Sequence, residues 1–243
     1  SLTDQFSTIA VVGPNSRQVL QKIGCSIDLD AAGFPFMRVR NAELGGYPVQ
    51  LFRVSFSGEL AFEININSGY ALDMWNTVMS AGAEFDITPY GTETMHVLRA
   101  EKGFVIVGQD TDGSVTPVDL GMNWLLSKDK DYLGKRSLAR PDCVRDDRKQ
   151  LVGLLSSDNS TVLPEGTQLI EDPKAAPPVP MCGHVSSSYA SACLGHPIAL
   201  ALVAGGRASK GETNYAALPG RAPLPVKIVS PVFYDPKGER QHV

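Results

Sequence analysis

The segment that says most about this chain's architecture reads Arg53-Val-Ser-Phe56-Ser-Gly58-Glu59-Leu-Ala-Phe62-Glu63-Ile64. A second segment follows it as Leu98-Arg99-Ala-Glu101-Lys-Gly103, then Gly108-Gln109-Asp110-Thr-Asp112, then Pro117-Val-Asp119-Leu-Gly121. Between them lies a pattern typical of a helix, which contains Trp75. Either segment alone is a weak signal. Their order and spacing along one chain make the pattern specific.

The region around the first segment predicts strands and helices in alternation. Residues 6–12 are rich in β-branched side chains and predict a strand, and a helix is expected from Asn15 to Ile23, ending at Gly24. Residues 34–40 and 47–56 predict a hairpin joined at Gly45-Gly46. Alternation over 62–67 predicts a half-buried strand. A helix capped by Ser68 follows, and three-and-four spacing predicts a buried face made of Leu72, Trp75, Val78 and Met79.

A further helix is expected from Thr92 to Lys102. The pattern changes after Gly121, and the charged segment 127–149 is expected to be a surface connection. From residue 151 onward, short strands separated by Gly and Pro predict a small antiparallel barrel or sandwich. They are 151–155, 167–170, 183–187, 198–203, 215–217 and 224–229. The fold class is therefore α+β over residues 1–148, followed by a mostly β domain over 149–243.

Composition narrows the function classes. The formal net charge is -4 and the sequence pI about 5.6, which disfavours a nucleic-acid partner, since phosphate neutralisation needs a positive excess. No apolar run approaches the ~18 residues of a membrane span, and no signal-peptide pattern opens the chain. The four cysteines form no Cys-x-x-Cys pair and the four histidines no His-x-x-x-His pair, so no metal is expected. Scattered thiols fit the reducing cytoplasm.

The two segments together resemble the folate-binding aminomethyltransferases, the family of the glycine cleavage T-protein. The family motif looks like Arg-x-Gly-Tyr-x-Gly-Glu-x-Gly-Phe-Glu, and its last Glu holds the pterin. Here Glu63 falls at that Glu, Phe56 at the Tyr, and Arg53 at the leading Arg. Tyr189 matches an aromatic position near the folate. The resemblance implies a T-protein-like folate-binding domain followed by a β-barrel, with tetrahydrofolate as the ligand.

Each of these four residues also has a purely structural interpretation. Glu63 could be a solvated side chain on the polar face of a strand, or a carboxylate that accepts a ring N–H and an exocyclic amine from a reduced pterin. Phe56 can supply a ring face without the Tyr hydroxyl. Arg53 could be a cross-strand partner of a carboxylate, and Tyr189 could be a barrel-core aromatic.

One departure from the family pattern refines the resemblance. Met95 stands where aminomethyltransferases have an Arg that contributes to the folate site, which argues against a true T-protein. The variant with His96-Val-Leu-Arg99-Ala-Glu-Lys-Gly103 is similar to the C-terminal region of the alpha subunits of heterotetrameric sarcosine oxidases. Further matches at Trp124, 130–138, 183–189 and 229–236 extend the resemblance over essentially the whole chain.

The resemblance implies a reaction and partners. Sarcosine, tetrahydrofolate and O2 would give glycine, 5,10-methylenetetrahydrofolate and H2O2, with other subunits of a heterotetrameric oxidase as partners. FAD, FMN and NAD sites are expected elsewhere in the complex, since this chain has no Gly-x-Gly-x-x-Gly fingerprint. Members of this family carry a catalytic Asp in the first third of their sequence, and here that Asp is expected upstream of Ser1. Alternatives are the folate domain of a dimethylglycine oxidase or dehydrogenase, a T-protein-like aminomethyltransferase, and a non-catalytic module for subunit docking.

Overall fold

A computed structural model describes residues 1–243 and divides them into two compact units. The first unit comprises Ser1–Leu98 together with Asp235–Val243, and the second comprises Arg99–Tyr234. Three α-helices occur along the chain: α1 (Ser16–Ile23), α2 (Ala71–Gly82) and α3 (Thr92–Glu101). None of them has the length and apolar character needed to cross a bilayer.

The first unit is built on one antiparallel sheet of four strands. They are β1 (Phe6–Val12), β2 (Arg38–Leu44), β3 (Tyr47–Arg53) and β4 (Ala61–Asn67), in the spatial order β1-β4-β3-β2. One face of the sheet packs with α1 and α2 around a single apolar core. Because strand side chains alternate between faces, Phe62, Ile64 and Ile66 enter this core, while Glu63 and Asn65 lie on the opposite, open face.

The β2–β3 hairpin turns where the sequence predicts, at Gly45 and Gly46 with φ of +59° and +87°. Two consecutive residues with positive φ suit the two-residue turn that matches strand twist. The first arm was expected over 34–40 and this was wrong, since β2 runs over Arg38–Leu44. Pro35 lacks the N–H of a ladder residue, and Phe34 is instead fully buried in the core from a turn.

Helix α2 presents a different face to the core from the one expected. The cap expected at Ser68 was wrong, because α2 begins at Ala71 after Tyr70, whose side chain makes no capping bond. Asn67 instead caps the turn before the helix, where its side chain accepts a hydrogen bond from the N–H of Gly69 at 3.0 Å. A single 3₁₀ turn then precedes the helix. The core receives Met74, Val78 and Ala81, whereas two residues of the expected face, Leu72 and Trp75, are exposed.

The second unit contains a closed barrel of six antiparallel strands. They are β5 (Lys149–Ser156), β6 (Gln168–Ile170), β7 (Gly183–Ser191), β8 (His196–Ala204), β9 (Thr213–Ala216) and β10 (Leu224–Val229). The ring closes in the order β10-β5-β8-β7-β6-β9, with each strand paired on both sides. All six short strands were expected from the sequence, and the barrel is confirmed. The domain boundary predicted after residue 148 stays a prediction, and the first barrel strand starts at Lys149.

Candidate functional site

Glu63 is a half-buried carboxylate that makes no hydrogen bond or ion pair in the structure. It stands on β4 between Ala10 of β1 and Phe52 of β3, both of which share its open face by register. Burial among these neighbours raises the pKa of Glu63 because the charged form loses hydration. Burial, and then the nearby charge of Glu63, also raise the pKa of Tyr90. A carboxylate in this state is a good acceptor for a ligand with N–H groups.

A polar row of side chains runs across the sheet beside Glu63. Register places Thr8, Asn65, Gln50 and Asn41 side by side on all four strands. The hydroxyl of Thr8 donates to Oδ1 of Asn65 at 2.6 Å, and this bond fixes the amide so that its oxygen faces β1. The Nδ2 of Asn65 is buried without a partner. The open face therefore carries an acceptor at Glu63, and two residues along β4 a buried amide nitrogen has no partner.

Sequence reasoning did not identify Asn65 or Tyr90. The signal for Asn65 was present, because the alternation that puts Glu63 on the open face puts the residue two positions later there too. Tyr90 gave no such signal. It lies in the irregular segment before α3, and only the fold brings its charge-sensitive hydroxyl within the electrostatic influence of Glu63.

Phe56 lies in the loop that joins β3 to β4. Its side chain is 39% exposed on the loop that leads into the Glu63 strand. The loop is held by a bond from the N–H of Gly58 to Oγ of Ser55 at 2.9 Å, and Gly58 has φ of +81°. Glycine tolerates this conformation without strain. Contact between Phe56 and folate stays a prediction.

Arg53 lies on the opposite face of the sheet from Glu63 and is 1% exposed. Its guanidinium donates to the backbone carbonyls of Phe34 at 3.2 Å, Gln241 at 3.0 Å and Val243 at 2.6 Å. It also stacks over the ring of Phe62 at 5.2 Å. Burial and the charge of Arg17 lower the pKa of Arg53. The structure thus gives Arg53 a structural task, and its predicted contact with folate stays a prediction.

Tyr189 belongs to the second unit, on β7, where it is 8% exposed. Its hydroxyl accepts hydrogen bonds from Nη2 of Arg99 and Nε2 of Gln109, each at 3.3 Å, and Arg99 also lies over its ring. These contacts are those of an aromatic residue built into the barrel unit. Packing of Tyr189 against folate likewise stays a prediction.

A fully buried ion pair joins Arg99 and Asp110 in the same unit. One oxygen of the Asp110 carboxylate accepts the N–H of Ile106 at 2.8 Å. The other accepts the hydroxyls of Ser186 and Ser187, each at 2.6 Å. The burial of Arg99 was not foreseen. Because the Asp110 carboxylate is fully satisfied within the unit, this cluster has the character of a structural anchor.

Comparison with known proteins identifies the family to which this chain belongs. The family model described as the GCVT N-terminal domain matches residues 1–130, and the one described as the glycine cleavage T-protein C-terminal barrel domain matches 149–235. The chain belongs to the glycine cleavage T-protein family. The predicted fold, an aminomethyltransferase-like domain followed by a closed barrel, is confirmed.

Within the T-protein family, sarcosine oxidase alpha subunits match the whole chain. The subunit of Corynebacterium sp. (strain U-96) is 50% identical over 244 residues, which are 99% of this chain and 25% of that protein. The subunit of Rhizobium meliloti (strain 1021) is 39% identical over 248 residues, again 25% of its length. The predicted resemblance to these subunits is confirmed, and the chain spans about a quarter of their length.

Shorter T-protein relatives match less closely but over more of their own length. The aminomethyltransferase of Thermotoga neapolitana is 27% identical over 235 residues, which are 96% of this chain and 61% of that protein. The crystal structure of aminomethyltransferase T from Bartonella henselae superposes with a TM-score of 0.73 at 21% identity, covering 95% of this chain and 60% of that one. At this identity the likeness concerns the fold alone.

Proposed function

We propose that this chain binds tetrahydrofolate through its first unit and that Glu63 holds the reduced pterin. The observation that carries the proposal is the carboxylate of Glu63, half-buried and without a partner on the open face of the sheet. Holding a charge in such a place costs free energy unless a ligand compensates it. The match to the T-protein family supports folate as that ligand.

In the proposed binding mode, Glu63 accepts hydrogen bonds from the pterin and Asn65 donates one to it. A tetrahydropterin carries a ring N–H beside an exocyclic amine, and this edge fits a carboxylate in the bidentate manner of a guanidinium. The amide of Asn65, a donor without a partner on the same face, suits the neighbouring carbonyl oxygen of the pterin. Phe56 is proposed to pack on the ring system. A ligand lacking the N–H pair would leave Glu63 unpaired, which gives selectivity.

In the proposed reaction this chain is part of a sarcosine oxidase-type alpha subunit. Oxidation of the N-methyl group of sarcosine by two electrons, on a flavin outside this chain, gives an iminium, and O2 takes the electrons and two protons to form H2O2. Folate nitrogens then capture the methylene carbon, and glycine leaves. The chain's own contribution is to hold the acceptor ready, because capture by a positioned nucleophile outcompetes hydrolysis to formaldehyde.

Two alternatives differ in what the rest of the protein does. The same folate site could serve a dimethylglycine-oxidising enzyme, in which case the amine changes and the role of Glu63 does not. The T-protein scaffold could instead serve only to dock subunits, since a fold can persist without its site. In that case tetrahydrofolate would not bind.

The experiment measures products of the full-length subunit in its complex, with and without tetrahydrofolate. We expect Glu63→Gln to leave H2O2 production unchanged, because oxidation occurs elsewhere, and to shift the carbon from 5,10-methylenetetrahydrofolate to formaldehyde. Anaerobic calorimetry should show tetrahydrofolate affinity falling about 100-fold, or about 2.7 kcal/mol, because the amide opposes one N–H donor with another.

The matched control is Glu43→Gln, which removes a carboxylate from β2 of the same sheet. It should change neither folate affinity nor the product ratio. Normal folate binding by Glu63→Gln would overturn the assignment of the pterin to Glu63. Absence of folate binding by the unaltered complex would leave the docking module as the function.

A further inference from the structure

Two charged residues at the junction of β3 and β4 bind a segment that lies far away in the sequence. Arg53 donates to the backbone carbonyls of Gln241 at 3.0 Å and Val243 at 2.6 Å. The carboxylate of Glu59 accepts a hydrogen bond from Nη1 of Arg240 at 2.9 Å. Each contact joins residues more than 180 positions apart in the chain. The junction is thus tied to a distant segment of the same unit.

This segment, residues 235–243, is called the strap below. It folds into a short turn of its own, because the carboxylate of Asp235 accepts the N–H groups of Glu239 at 3.1 Å and Arg240 at 3.3 Å. Gly238 has φ of +68° at the start of this turn, a backbone conformation that glycine adopts without strain. The turn places the guanidinium of Arg240 against the β3–β4 junction.

Polar bonds, more than apolar packing, hold the strap in place. The carbonyl of Val243 accepts from Arg53 and also from Nη2 of Arg17 on α1, the latter at 2.7 Å. The ring of His242 meets that of Phe36 edge to face at 5.1 Å. None of the strap residues belongs to the apolar core of the first unit, and a cavity of about 470 Å³ is lined by residues of both the strap and α1. Loss of one charged contact should therefore loosen the strap measurably.

The strap contacts both ends of the loop between β3 and β4, residues 54–60. Arg53 is the last residue of β3, and Glu59 lies two residues before the first residue of β4. Within the loop, serine hydroxyl oxygens accept the N–H groups of Gly58 at 2.9 Å and Glu59 at 3.3 Å. Fixing both ends of a short loop removes conformational freedom that a few local bonds leave in place. The strap thus restricts the loop that carries Phe56.

We propose that the strap is a positioning element for the candidate folate site, because it holds the β3–β4 loop in the conformation that folate binding requires. Arg240 and Glu59 are its positioning residues, since they act on the loop and not on the ligand. Folate binding and the fastening of the strap are then coupled, and each stabilises the other. The coupling rests on the proposed function, whereas the hold of the strap on the loop is testable without a ligand.

Hydrogen exchange measured by mass spectrometry on the full-length subunit in its complex tests the ligand-free part. Arg240→Gln removes the charge from the contact with Glu59, a partly exposed pair of a kind worth up to about fivefold in an equilibrium constant. We expect the N–H groups of the loop, residues 54–60, to exchange about three- to fivefold faster in this variant, because the loop opens more often. Arg240→Lys keeps the charge and should restore slow exchange.

A second variant loosens the strap without altering the ion pair. At Gly238, where φ is +68°, a Cβ would lie 2.8 Å from Nε2 of Gln241, so Gly238→Ala strains the turn of the strap. Exchange in the loop should again be faster. Lys237→Gln, which alters an exposed charge of the strap, is the matched control and should leave the loop unchanged. Unchanged loop exchange in both Arg240→Gln and Gly238→Ala would overturn the proposal.

Tetrahydrofolate gives a readout that a purely structural strap would not. A ligand that needs the fastened strap suppresses its release by a factor of about one plus [L]/Kd. At ten times Kd, the N–H groups of Glu239 and Arg240 should therefore exchange about tenfold more slowly. The N–H of Gly195, in a hairpin of the barrel, is the internal control and should not respond.

The outcomes separate this inference from the proposed function. Tetrahydrofolate binding that leaves exchange in the strap unchanged would overturn the coupling of the strap to the folate site. Absence of tetrahydrofolate binding by the unaltered complex would overturn the proposed function together with the coupling, and loop exchange in the ligand-free variants would still show whether the strap holds the loop.

Discussion

The open sheet of the first unit and the closed barrel of the second differ in strand pairing and in how a key carboxylate of each is partnered. In the barrel unit every strand has two neighbours, and the buried Asp110 carboxylate is satisfied by Arg99, Ser186, Ser187 and the N–H of Ile106. In the sheet unit the edge of β1 is bare, the carboxylate of Glu63 has no partner and the amide nitrogen of Asn65 is buried unpaired.

This contrast separates groups that hold the fold from groups that await a ligand. A buried polar group costs stability unless it is paired, so an internally satisfied cluster needs nothing further. An unpaired, half-buried carboxylate still has acceptor capacity for a ligand. The Asp110 carboxylate therefore has its hydrogen-bonding capacity used within the barrel unit, whereas the carboxylate of Glu63 keeps its capacity for the proposed folate.

The largest expected effect tests the barrel side of the comparison. Asp110→Ala would leave the buried guanidinium of Arg99 without its carboxylate and should cost about 3–5 kcal/mol of unfolding free energy. Urea denaturation followed by circular dichroism measures this. The control is Asp129→Ala, an exposed carboxylate of the same unit, with an expected change within about 0.5 kcal/mol. Equal losses in the two variants would mean that the ion pair is not an anchor.

Arg53→Met tests whether Arg53 belongs to the fold or to the ligand. Loss of the bonds from its guanidinium to the carbonyls of Phe34, Gln241 and Val243 should cost about 2 kcal/mol, within the range for bonds from charged donors. The matched control is Arg38→Met, its exposed register partner on β2, which should be nearly neutral. Unchanged stability with a tenfold loss of folate affinity would instead place the guanidinium on folate.

Glu63 gives a larger effect on ligand affinity than on stability. Only the carboxylate accepts both pterin donors, so folate affinity should fall by up to about tenfold per pH unit once the pH drops below the raised pKa of Glu63. Calorimetry at a series of pH values measures this. A pH-independent affinity over the same range would argue against direct contact between Glu63 and the pterin.

The smallest expected effect is that of Glu63 on the stability of the protein in the absence of a ligand. A raised pKa means that the folded state binds the proton more tightly than the unfolded state, so ionisation of Glu63 lowers stability as pH rises through that pKa. Glu63→Gln should therefore raise the Tm at pH 7 by no more than about 2 °C, and the gain should vanish in acid. A fall of several degrees would show that the carboxylate supports the fold.

Local sequence patterns predicted most of the helices and strands. They failed where two packing arrangements fit the same pattern equally well. The six barrel strands, β1, β4 and α1 follow from alternation, β-branched content and Gly24. The face of α2 does not, because apolar residues at 72, 74, 75, 78, 79 and 81 cover much of the helix. Packing selected Met74, Val78 and Ala81 for the core and left Trp75 exposed. The start of β2 differs from the expected arm because Pro35 lacks the N–H of a ladder residue.

The sequence by itself determined the family, the strand and helix order, and the side of β4 on which Glu63 stands, since these depend on short-range spacing. Only the tertiary structure decided which groups have partners. Arg53 and Glu63 lie ten residues apart, yet the sheet sets them on opposite faces, and it leaves the outer edge of β1 open. Partnership depends on contacts between residues distant in sequence, and no local pattern encodes them.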